Sequence, residues 1–462
     1  MRIMILYELP QRELENVLLL KRYFQRLGND CEIVKYPFRD SKKLKKQYYN
    51  KLDVIIVHSL PSEKALNKLV YSIFGKVPYI INSQVEQIGT NKSENDASSY
   101  RWPKDSVKNA FHICWGQRMY NSMVRFGVDE AKLLLTGPIQ MDFLRPEFNG
   151  YYYTKKELLN QYKINPSQKV CLFISSFSYV GLPEHARKDL KRITGEENFN
   201  AFEQFSIDSQ EKIIRWFEKL LSENPEFLLV YRKHPAEHIS KPLQKLAEKY
   251  SESFKLISDY SVKQWIIIAD SILTWYSTSV GEAYFANKNV LVLRPVKINP
   301  EIEVTILNGT NYVSEYDQFI SGIKEGAFSN LDKKNMMSYF DVNNAVPSFI
   351  RIGEKVIGIT SGAENVFPWE KVDTKAFEEL NREAREKKYL LHIYNAYIGL
   401  AHKIKEITGL NYGTKLQKRI ETYRESLNKN REQEEEIRSI MEKEKLVNEI
   451  VDKFLDKVSM HA

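Results

Sequence analysis

The stretch that decides the fold spans residues 227–295. Its two dense parts read FLLVYRKHPAEHISK, at 227–241, and FKLISDYSVKQWIIIADSILTWYSTSVGEAYFANKNVLVLRP, at 254–295. Short apolar runs of this kind are typical of strands buried on both faces of a parallel sheet. We expect strands at 227–232, 255–258, 271–275 and 290–293, with helices at 262–269 and 280–286. This alternation predicts one half of a doubly wound α/β architecture.

Two polar motifs lie where expected strands end. One is a Lys-His-Pro triplet, and the other is a Ser-Thr-Ser run that opens an expected helix. In doubly wound sheets, ligands bind beyond the carboxyl ends of strands, and a helix start offers free N–H groups to phosphate. The bland alternatives are an ordinary loop histidine and a helix N-cap. The residues are Lys233, His234, Pro235, Ser277, Thr278 and Ser279.

The motifs RKHP and WYSTSVGEA resemble the His-Pro and Ser/Thr motifs of bacterial sialyltransferases and Kdo transferases. Related patterns occur in capsule and surface-carbohydrate biosynthesis proteins and in CDP-glycerol glycerophosphotransferases. The N-terminal segment LPQRELENVLLLKRYFQRLGNDCEIV also resembles the start of surface-carbohydrate biosynthesis proteins, so the resemblance reaches both halves of the chain. It implies a GT-B fold, in which two Rossmann-like domains face a central cleft.

The resemblance also implies residue roles. His234 is expected to bind the phosphate of a CMP- or CDP-activated donor, and the run Ser277, Thr278 and Ser279 is expected to hold the same phosphate. Glu282 matches an acid that often holds the nucleotide ribose in GT-B enzymes. A further loop, SSFSYVGLPEHARKD, follows the expected strand at 169–175, and we expect its first hydroxyls to reach the donor as well. Those hydroxyls belong to Ser175 and Ser176.

The candidate general base lies in the first half of the chain. An expected strand at 78–82 is followed by SQVEQIG, which places an acid, Glu86, just past a strand end. Bacterial sialyltransferases carry an acidic pair before a glycine here, whereas this chain has one acid and one extra residue. Glu94 and Asp96 are substitutes for the role, and a plain surface acid is the alternative. Asp142 is expected at a helix start rather than in contact with ligand.

Composition bounds the remaining possibilities. The chain has 462 residues, a net charge of +8 and 43% hydrophobic residues, which suffices for two or three domains. No basic block is dense enough for nucleic-acid binding. Three separated cysteines in apolar runs predict buried free thiols. No signal peptide or membrane span is expected, which favours the cytoplasm, with peripheral contact at the inner membrane as a further possibility.

We expect five parts. They are an acceptor domain at 1–145, a linker at 146–168, a donor domain at 169–345, a crossover segment at 346–368 and a helical extension at 369–462. The extension mixes acids and bases with loosely periodic apolar residues, which favours a packed hairpin or a homodimer arm over a membrane-binding helix.

The sequence contains no DxD pair, no P-loop, no GxSxG elbow and no metal-ligand cluster, so we expect no metal cofactor. It predicts a metal-independent glycosyltransferase that moves a CMP-activated acidic sugar, sialic-like or Kdo-like, onto a glycan or glycolipid acceptor of a bacterial capsule or lipopolysaccharide. Two alternatives stay open. One is a CDP-glycerol or CDP-ribitol phosphotransferase of the teichoic-acid type, and the other is a non-catalytic GT-B assembly protein.

Overall fold

The computed structural model describes residues 1–343, 345–362, 365–383, 438 and 441–459. In that part of the chain the first sheet has six parallel strands. They are β1 Arg2–Tyr7, β2 Asp30–Lys35, β3 Val54–Val57, β4 Tyr79–Asn82, β5 Phe111–Cys114 and β6 Leu133–Leu135. Their spatial order is β2-β1-β3-β4-β5-β6. Every neighbouring pair is parallel, so all the carboxyl ends lie along one edge.

Helices cover both faces of this sheet. Alternate side chains of β1 point to opposite faces: Ile3 and Ile5 join one buried cluster, and Met4 and Leu6 join another. Because both faces are covered, the central strands β1 and β3 are almost entirely apolar, whereas the edge strand β2 carries Asp30, Glu32 and Lys35. The helices are α1 Pro10–Arg26, α2 Ser41–Tyr48, α3 Glu63–Leu66, α4 Ser72–Phe74, α5 Asn91–Asn95 and α6 Gln117–Arg125, with a π-helical turn at Asn67–Tyr71 joining α3 to α4.

The second sheet follows the same logic. Its strands are β7 Lys169–Ile174, β8 Phe227–Arg232, β9 Phe254–Ile257, β10 Ser271–Thr274 and β11 Val290–Val292, in the parallel order β11-β10-β7-β8-β9. Its helices are α7 Lys155–Gln161, α8 Glu184–Thr194, α9 Glu196–Glu223, α10 Lys241–Lys249, α11 Val262–Ile268, α12 Val280–Phe285, α13 Tyr316–Glu325 and α14 Lys333–Tyr339. Each strand expected from the sequence is present. Helix α10 lies between two expected strands where the sequence predicts no helix, and α8 occupies part of the expected loop after β7.

The chain then returns to the first domain. Helix α15, Ser348–Thr360, packs so closely on α1 that a Cβ at Gly353 would lie 2.0 Å from the Tyr23 ring. Asp142 accepts the backbone N–H groups of Ser348 and Phe349, both at 2.8 Å, so it caps α15. Burial raises the pKa of Asp142 to about 7, against the effect of these two hydrogen bonds. Asp142 is thus a helix-start acid, as expected.

Helix α16, Glu444–Ser459, also lies on the first domain and buries Val447 and Val451. Most of the expected helical extension, including the apolar residues at 390–398, lies outside the described residues, so the homodimer arm stays a prediction. Among the residues that the structure does describe, none of the helices combines the length and apolar character that a membrane crossing requires. The three cysteines are buried and free, as the sequence predicted.

A buried carboxylate ties the two domains together on one side. Glu94, in α5, accepts a hydrogen bond from the Gly89 backbone at 3.0 Å and is paired with Arg118 at 2.8 Å. Two hydroxyls of the second domain donate to the same carboxylate, from Thr305 at 2.6 Å and from Tyr339 at 3.0 Å. Glu94 is therefore fully engaged in an interdomain contact, and its substitute role as a general base is wrong.

A second contact joins the domains near the linker. Lys263, in α11, pairs with Glu15, in α1, at 3.2 Å, and both side chains are only 4% exposed. Tyr151 and Tyr152 donate their hydroxyls to the same Glu15 carboxylate. Two parallel-sheet domains joined in this way, with a C-terminal helix crossing back to the first domain, constitute a GT-B fold, and the fold class predicted from the sequence is confirmed.

Substitution of Glu94 tests the first contact. We expect Glu94→Gln to lower the free energy of unfolding by about 2 kcal/mol, because the amide loses the pairing with Arg118 and leaves buried donors unsatisfied. Asp96→Asn is the matched control, since the Asp96 side chain is exposed and its carboxylate accepts hydrogen bonds from Ser98 in its own turn. Urea unfolding measures both variants. Equal stability of the two would contradict the interdomain role of Glu94.

Candidate functional site

The site lies in the interdomain cleft, defined here as the space between the carboxyl edges of the two sheets. The first edge carries the loops after β1, β3 and β4, and the second carries those after β7, β8 and β10. The charges of Glu86 and Arg12, from the first domain, both act on the His234 imidazole of the second. The structure thus brings the two predicted catalytic residues, Glu86 and His234, to opposite sides of one cleft.

The hydrogen bonds of His234 define its tautomer. Its Nδ1 accepts the backbone N–H of Ala236 at 3.2 Å, so the ring proton of the neutral form belongs on Nε2. The ring reaches solvent, yet the protein on both sides of the cleft desolvates it and lowers the pKa of His234; Glu86 opposes this shift and Arg12 adds to it. At neutral pH, His234 therefore offers one fixed N–H donor without a charge.

A buried network holds the His234 loop in place. The Glu237 carboxylate accepts the backbone N–H of His234 at 3.0 Å and the Tyr231 hydroxyl at 2.5 Å. The Ser175 hydroxyl lies 2.8 Å from the Tyr231 hydroxyl. Burial raises the pKa of Glu237, while the hydrogen bonds and the charge of Lys233 oppose that rise. Glu237 escaped the sequence analysis, although its place three residues after His234 is the spacing of a side chain that closes a turn.

Ser175 needs a correction within this picture. Its side chain is 3% exposed, and its hydroxyl is engaged with Tyr231, so it supports the His234 loop from behind and does not line the cleft. Ser176, the next residue, is half-buried, and its role as a donor ligand stays a prediction. Lys233 is half-buried beside Glu237, and Pro235 is exposed in the turn; their roles also stay predictions.

The Ser/Thr run follows β10 and leads into α12. The Ser277 hydroxyl accepts the backbone N–H of Ser279 at 3.2 Å, and Thr278 is exposed. Ser279 is the N-cap residue of α12, but its side chain makes no capping hydrogen bond. The capping alternative therefore does not account for the hydroxyls of Thr278 and Ser279. Glu282 is half-buried in the first turn of α12, and burial raises its pKa against the opposing charge of Lys263.

Arg12 is the main residue of the cleft that the sequence analysis missed. Its guanidinium pairs with the exposed Glu86 carboxylate and, at 2.9 Å, with the buried Glu13. Glu13 in turn accepts the backbone N–H of Glu8 at 2.7 Å, which anchors the loop after β1. A base at Glu86 would have to act beside this cation. Arg12 is brought into the cleft site by its contact with Glu86, 74 positions away in the sequence, and no local pattern predicts such a contact.

His58 is the second missed residue. It directly follows β3, stacks on Tyr36 at 5.5 Å between ring centroids, and has its Nε2 3.7 Å from a Glu8 carboxylate oxygen. Burial lowers the pKa of His58, and Glu13 and Glu8 oppose the shift. Its Nδ1 has no hydrogen-bond partner among the described residues. The only sequence signal was its position at the end of an expected strand.

Comparison with family models gives no match, and comparison with curated proteins gives none either. Solved structures with a similar fold include UDP-GlcNAc 2-epimerase from Neisseria meningitidis bound to UDP-GlcNAc, with a TM-score of 0.47 and 16% identity over 78% of this chain and 99% of that one. They also include the wall teichoic acid polymerase TagF, with a TM-score of 0.48 and 13% identity over 78% and 89%.

A third is Anabaena Alr3699/HepE in complex with UDP and glucose, with a TM-score of 0.41 and 11% identity over 78% of this chain and 100% of that one. At these TM-scores and identities the likeness assigns no role to any residue. The class that the fold and the site define is a GT-B protein with a polar interdomain cleft. In the described part of the chain, no three His, Cys, Asp or Glu side chains are grouped as a metal site requires.

The electrostatics of the cleft can be tested through the His234 titration. We expect Glu86→Gln to lower the pKa of His234 further, because the variant removes the negative charge that favours the imidazolium. Imidazole NMR across the pH range measures the shift. Glu370→Gln is the control, because Glu370 neighbours Trp369, which bonds to Val77 just before β4, at the edge away from the cleft. An unchanged pKa of His234 in Glu86→Gln would contradict the electrostatic interaction between Glu86 and His234 across the cleft.

Proposed function

We propose that the protein is a glycosyltransferase whose nucleotide-sugar donor binds the second domain and whose acceptor hydroxyl approaches from the first. The observation that carries this proposal is the position of His234, fixed as an N–H donor at a strand end and facing Arg12 and Glu86 across the cleft. A substrate held on one edge would meet reactive groups on the other. That is the arrangement that a group transfer between two bound molecules needs.

The leaving group of such a transfer is a nucleotide phosphate, whose charge must be stabilised as the bond to the sugar breaks. The Nε2–H of His234, which its hydrogen bond to Ala236 orients, would be one donor to this phosphate, and the hydroxyls of Thr278 and Ser279, which no capping bond occupies, would be others. Lys233 would add positive charge at the same strand end, and Glu282 would hold the ribose. A CMP-linked acidic sugar, sialic-like or Kdo-like, is the donor we propose.

Glu86 could act as the general base only if Arg12 also pairs with a second anion. An arriving donor is an anion, and it would offer the Arg12 guanidinium a second negative partner. As Arg12 turns toward the donor phosphate, the Glu86 carboxylate would be released to accept the proton of the acceptor hydroxyl. Donor binding and activation of the base are thereby coupled, so that proton transfer awaits a filled donor site. The acceptor we propose is a surface glycan or glycolipid.

The pairing of Glu86 with Arg12 also favours one alternative, a non-catalytic GT-B assembly protein, because in this state the candidate base is occupied. Thermal-shift measurements with CMP, CDP, UDP and GDP discriminate among the candidates. Stabilisation by CMP supports the proposed donor, and stabilisation by CDP instead supports a CDP-glycerol or CDP-ribitol phosphotransferase. No response to any nucleotide would support the assembly protein.

We also propose a cytoplasmic protein that contacts the inner membrane peripherally. Helix α2 supports this idea because it presents Lys42, Lys43, Lys45 and Lys46 within eight residues, on a helix that buries none of its side chains. Each lysine near an anionic lipid surface contributes about 1 kcal/mol. Cosedimentation with anionic and with neutral vesicles, at low and high salt, measures the contact.

Substitution of His234 tests the donor site. We expect His234→Ala to lower turnover about a hundredfold, because one fixed donor to the leaving phosphate is lost, while the folded state persists since the ring is exposed. Turnover of the nucleotide sugar gives the rate, and thermal unfolding checks the fold.

His238→Ala is the matched control for this experiment. His238 is exposed in the same loop, four residues along, and we expect its removal to leave turnover within about twofold of the natural protein. If His234→Ala retained the turnover of the His238→Ala control, the assignment of the donor site would be wrong.

A further inference from the structure

An ammonium group lies in a cage of aromatic rings beside the linker between the domains. The Nζ of Lys443 lies 4.9 Å from the ring centroid of Tyr151, 5.2 Å from that of Tyr152 and 5.0 Å from that of Tyr153. The ring of Tyr260 completes the cage at 5.5 Å. Each of these distances is within the range of a cation–π interaction, and four rings around one cation exceed what chance surface contacts produce.

The rings come from both sides of the junction. Tyr151, Tyr152 and Tyr153 are consecutive in the linker, whereas Tyr260 follows β9 of the second domain. Tyr260 has a φ of +59°, a left-handed conformation that is strained for a bulky residue. The Gln264 side chain bonds to both the N–H and the C=O of Tyr153, at 2.8 and 3.0 Å. The cage is therefore built by specific interactions.

The lysine is delivered from a third part of the chain. It lies directly before α16, which is bound to α1 by four ion pairs: Lys21–Glu444, Arg22–Asp452, Arg26–Asp452 and Arg26–Asp456. Apolar packing of Val447 and Val451 against the first domain reinforces these ion pairs. Because α16 belongs to the first domain and Tyr260 to the second, Lys443 connects the two domains at the linker.

Charged groups beneath the cage explain why an ammonium fits there. The Glu15 carboxylate, which accepts the hydroxyls of Tyr151 and Tyr152, attracts the Lys443 charge, while Lys263 repels it. Burial is the larger effect, and it lowers the pKa of Lys443. An ammonium is placed here against a desolvation penalty, which the rings and Glu15 must offset.

We propose that Tyr151, Tyr152, Tyr153 and Tyr260 form an ammonium-binding site that Lys443 of the same chain fills, and that this contact fixes the linker between the two domains. The chemical class of ligand is a primary alkylammonium. The site is distinct from the interdomain cleft, and the proposal does not depend on the glycosyltransferase activity.

The experiment empties the site and then refills it. In Lys443→Ala, we expect amide hydrogen exchange in the peptide covering residues 151–153 to become about tenfold faster, because the contact no longer restrains the linker. Addition of n-butylammonium should restore slow exchange, and n-butanol at the same concentration should not. Lys445→Ala, which removes an exposed lysine two residues along, is the control and should exchange like the natural protein.

Lys443→Met keeps the apolar stem of the side chain and removes the ammonium, so it tests the charge apart from the packing. We expect it to speed exchange as well, because the rings lose their cation. Protection of the amides around Val447 and Val451 shows whether α16 stays docked in each variant. Unchanged exchange at 151–153 in Lys443→Met with α16 docked would overturn the proposal. So would rescue of Lys443→Ala by butanol as effective as rescue by butylammonium.

Discussion

The ion pair between Lys263 and Glu15 is the contact on which the rest of the structure depends. It joins a helix of each domain at 3.2 Å with both side chains almost completely buried. A small movement of the domains at this point would stretch the pair inside the protein, where the attraction between the two charges is strong and water does not yet replace it. The pair therefore limits how far the two sheet edges can move apart. That limit keeps His234 within electrostatic reach of Arg12 and Glu86.

The same pair extends its influence in two directions. Toward the cleft, the charge of Lys263 opposes the burial-induced rise in the pKa of Glu282, the expected ribose ligand. Toward the linker, Glu15 accepts two tyrosine hydroxyls and attracts Lys443. The proposed donor site and the linker thus share one chain of buried charges. A change in domain orientation would alter both, because neither partner of the pair can be displaced alone.

The sequence predicted the sheets well for a simple reason. A strand buried on both faces is apolar at most of its positions. Such a run, followed by a polar turn, can be recognised in the sequence, as at Phe227–Arg232. Helix α10 was missed because Lys241–Lys249 buries only Leu243 and Leu246, so its apolar stripe is too narrow to stand out. For helix α9 the sequence predicts only the C-terminal part, at 210–221, because the N-terminal half mixes acids with aromatic residues.

The residues of the candidate site could be predicted only where neighbouring sequence identifies them. His234 and the Ser277–Ser279 run stand out because each follows an apolar run directly. Ser175 stood out by the same rule but is buried, because the Tyr231 hydroxyl behind it needs a partner. Nothing local distinguishes Glu94, a clamp between domains, from Glu86, an exposed acid in the cleft. The different roles of these two acids depend on contacts between distant parts of the chain, which a local sequence pattern does not reveal.

The protonation states of the cleft suggest why its two edges differ in chemistry. On the side of the second domain, His234 is neutral at physiological pH and offers one directed hydrogen bond, so in the proposed donor site it would bind a phosphate without holding it too tightly for release. On the acceptor side, Arg12 carries a permanent charge that is already divided between Glu13 and Glu86. Because Glu13 is buried and anchors a loop, whereas Glu86 is exposed, an incoming anion competes most easily with Glu86. The arrangement therefore favours release of Glu86, the carboxylate that we propose as the general base.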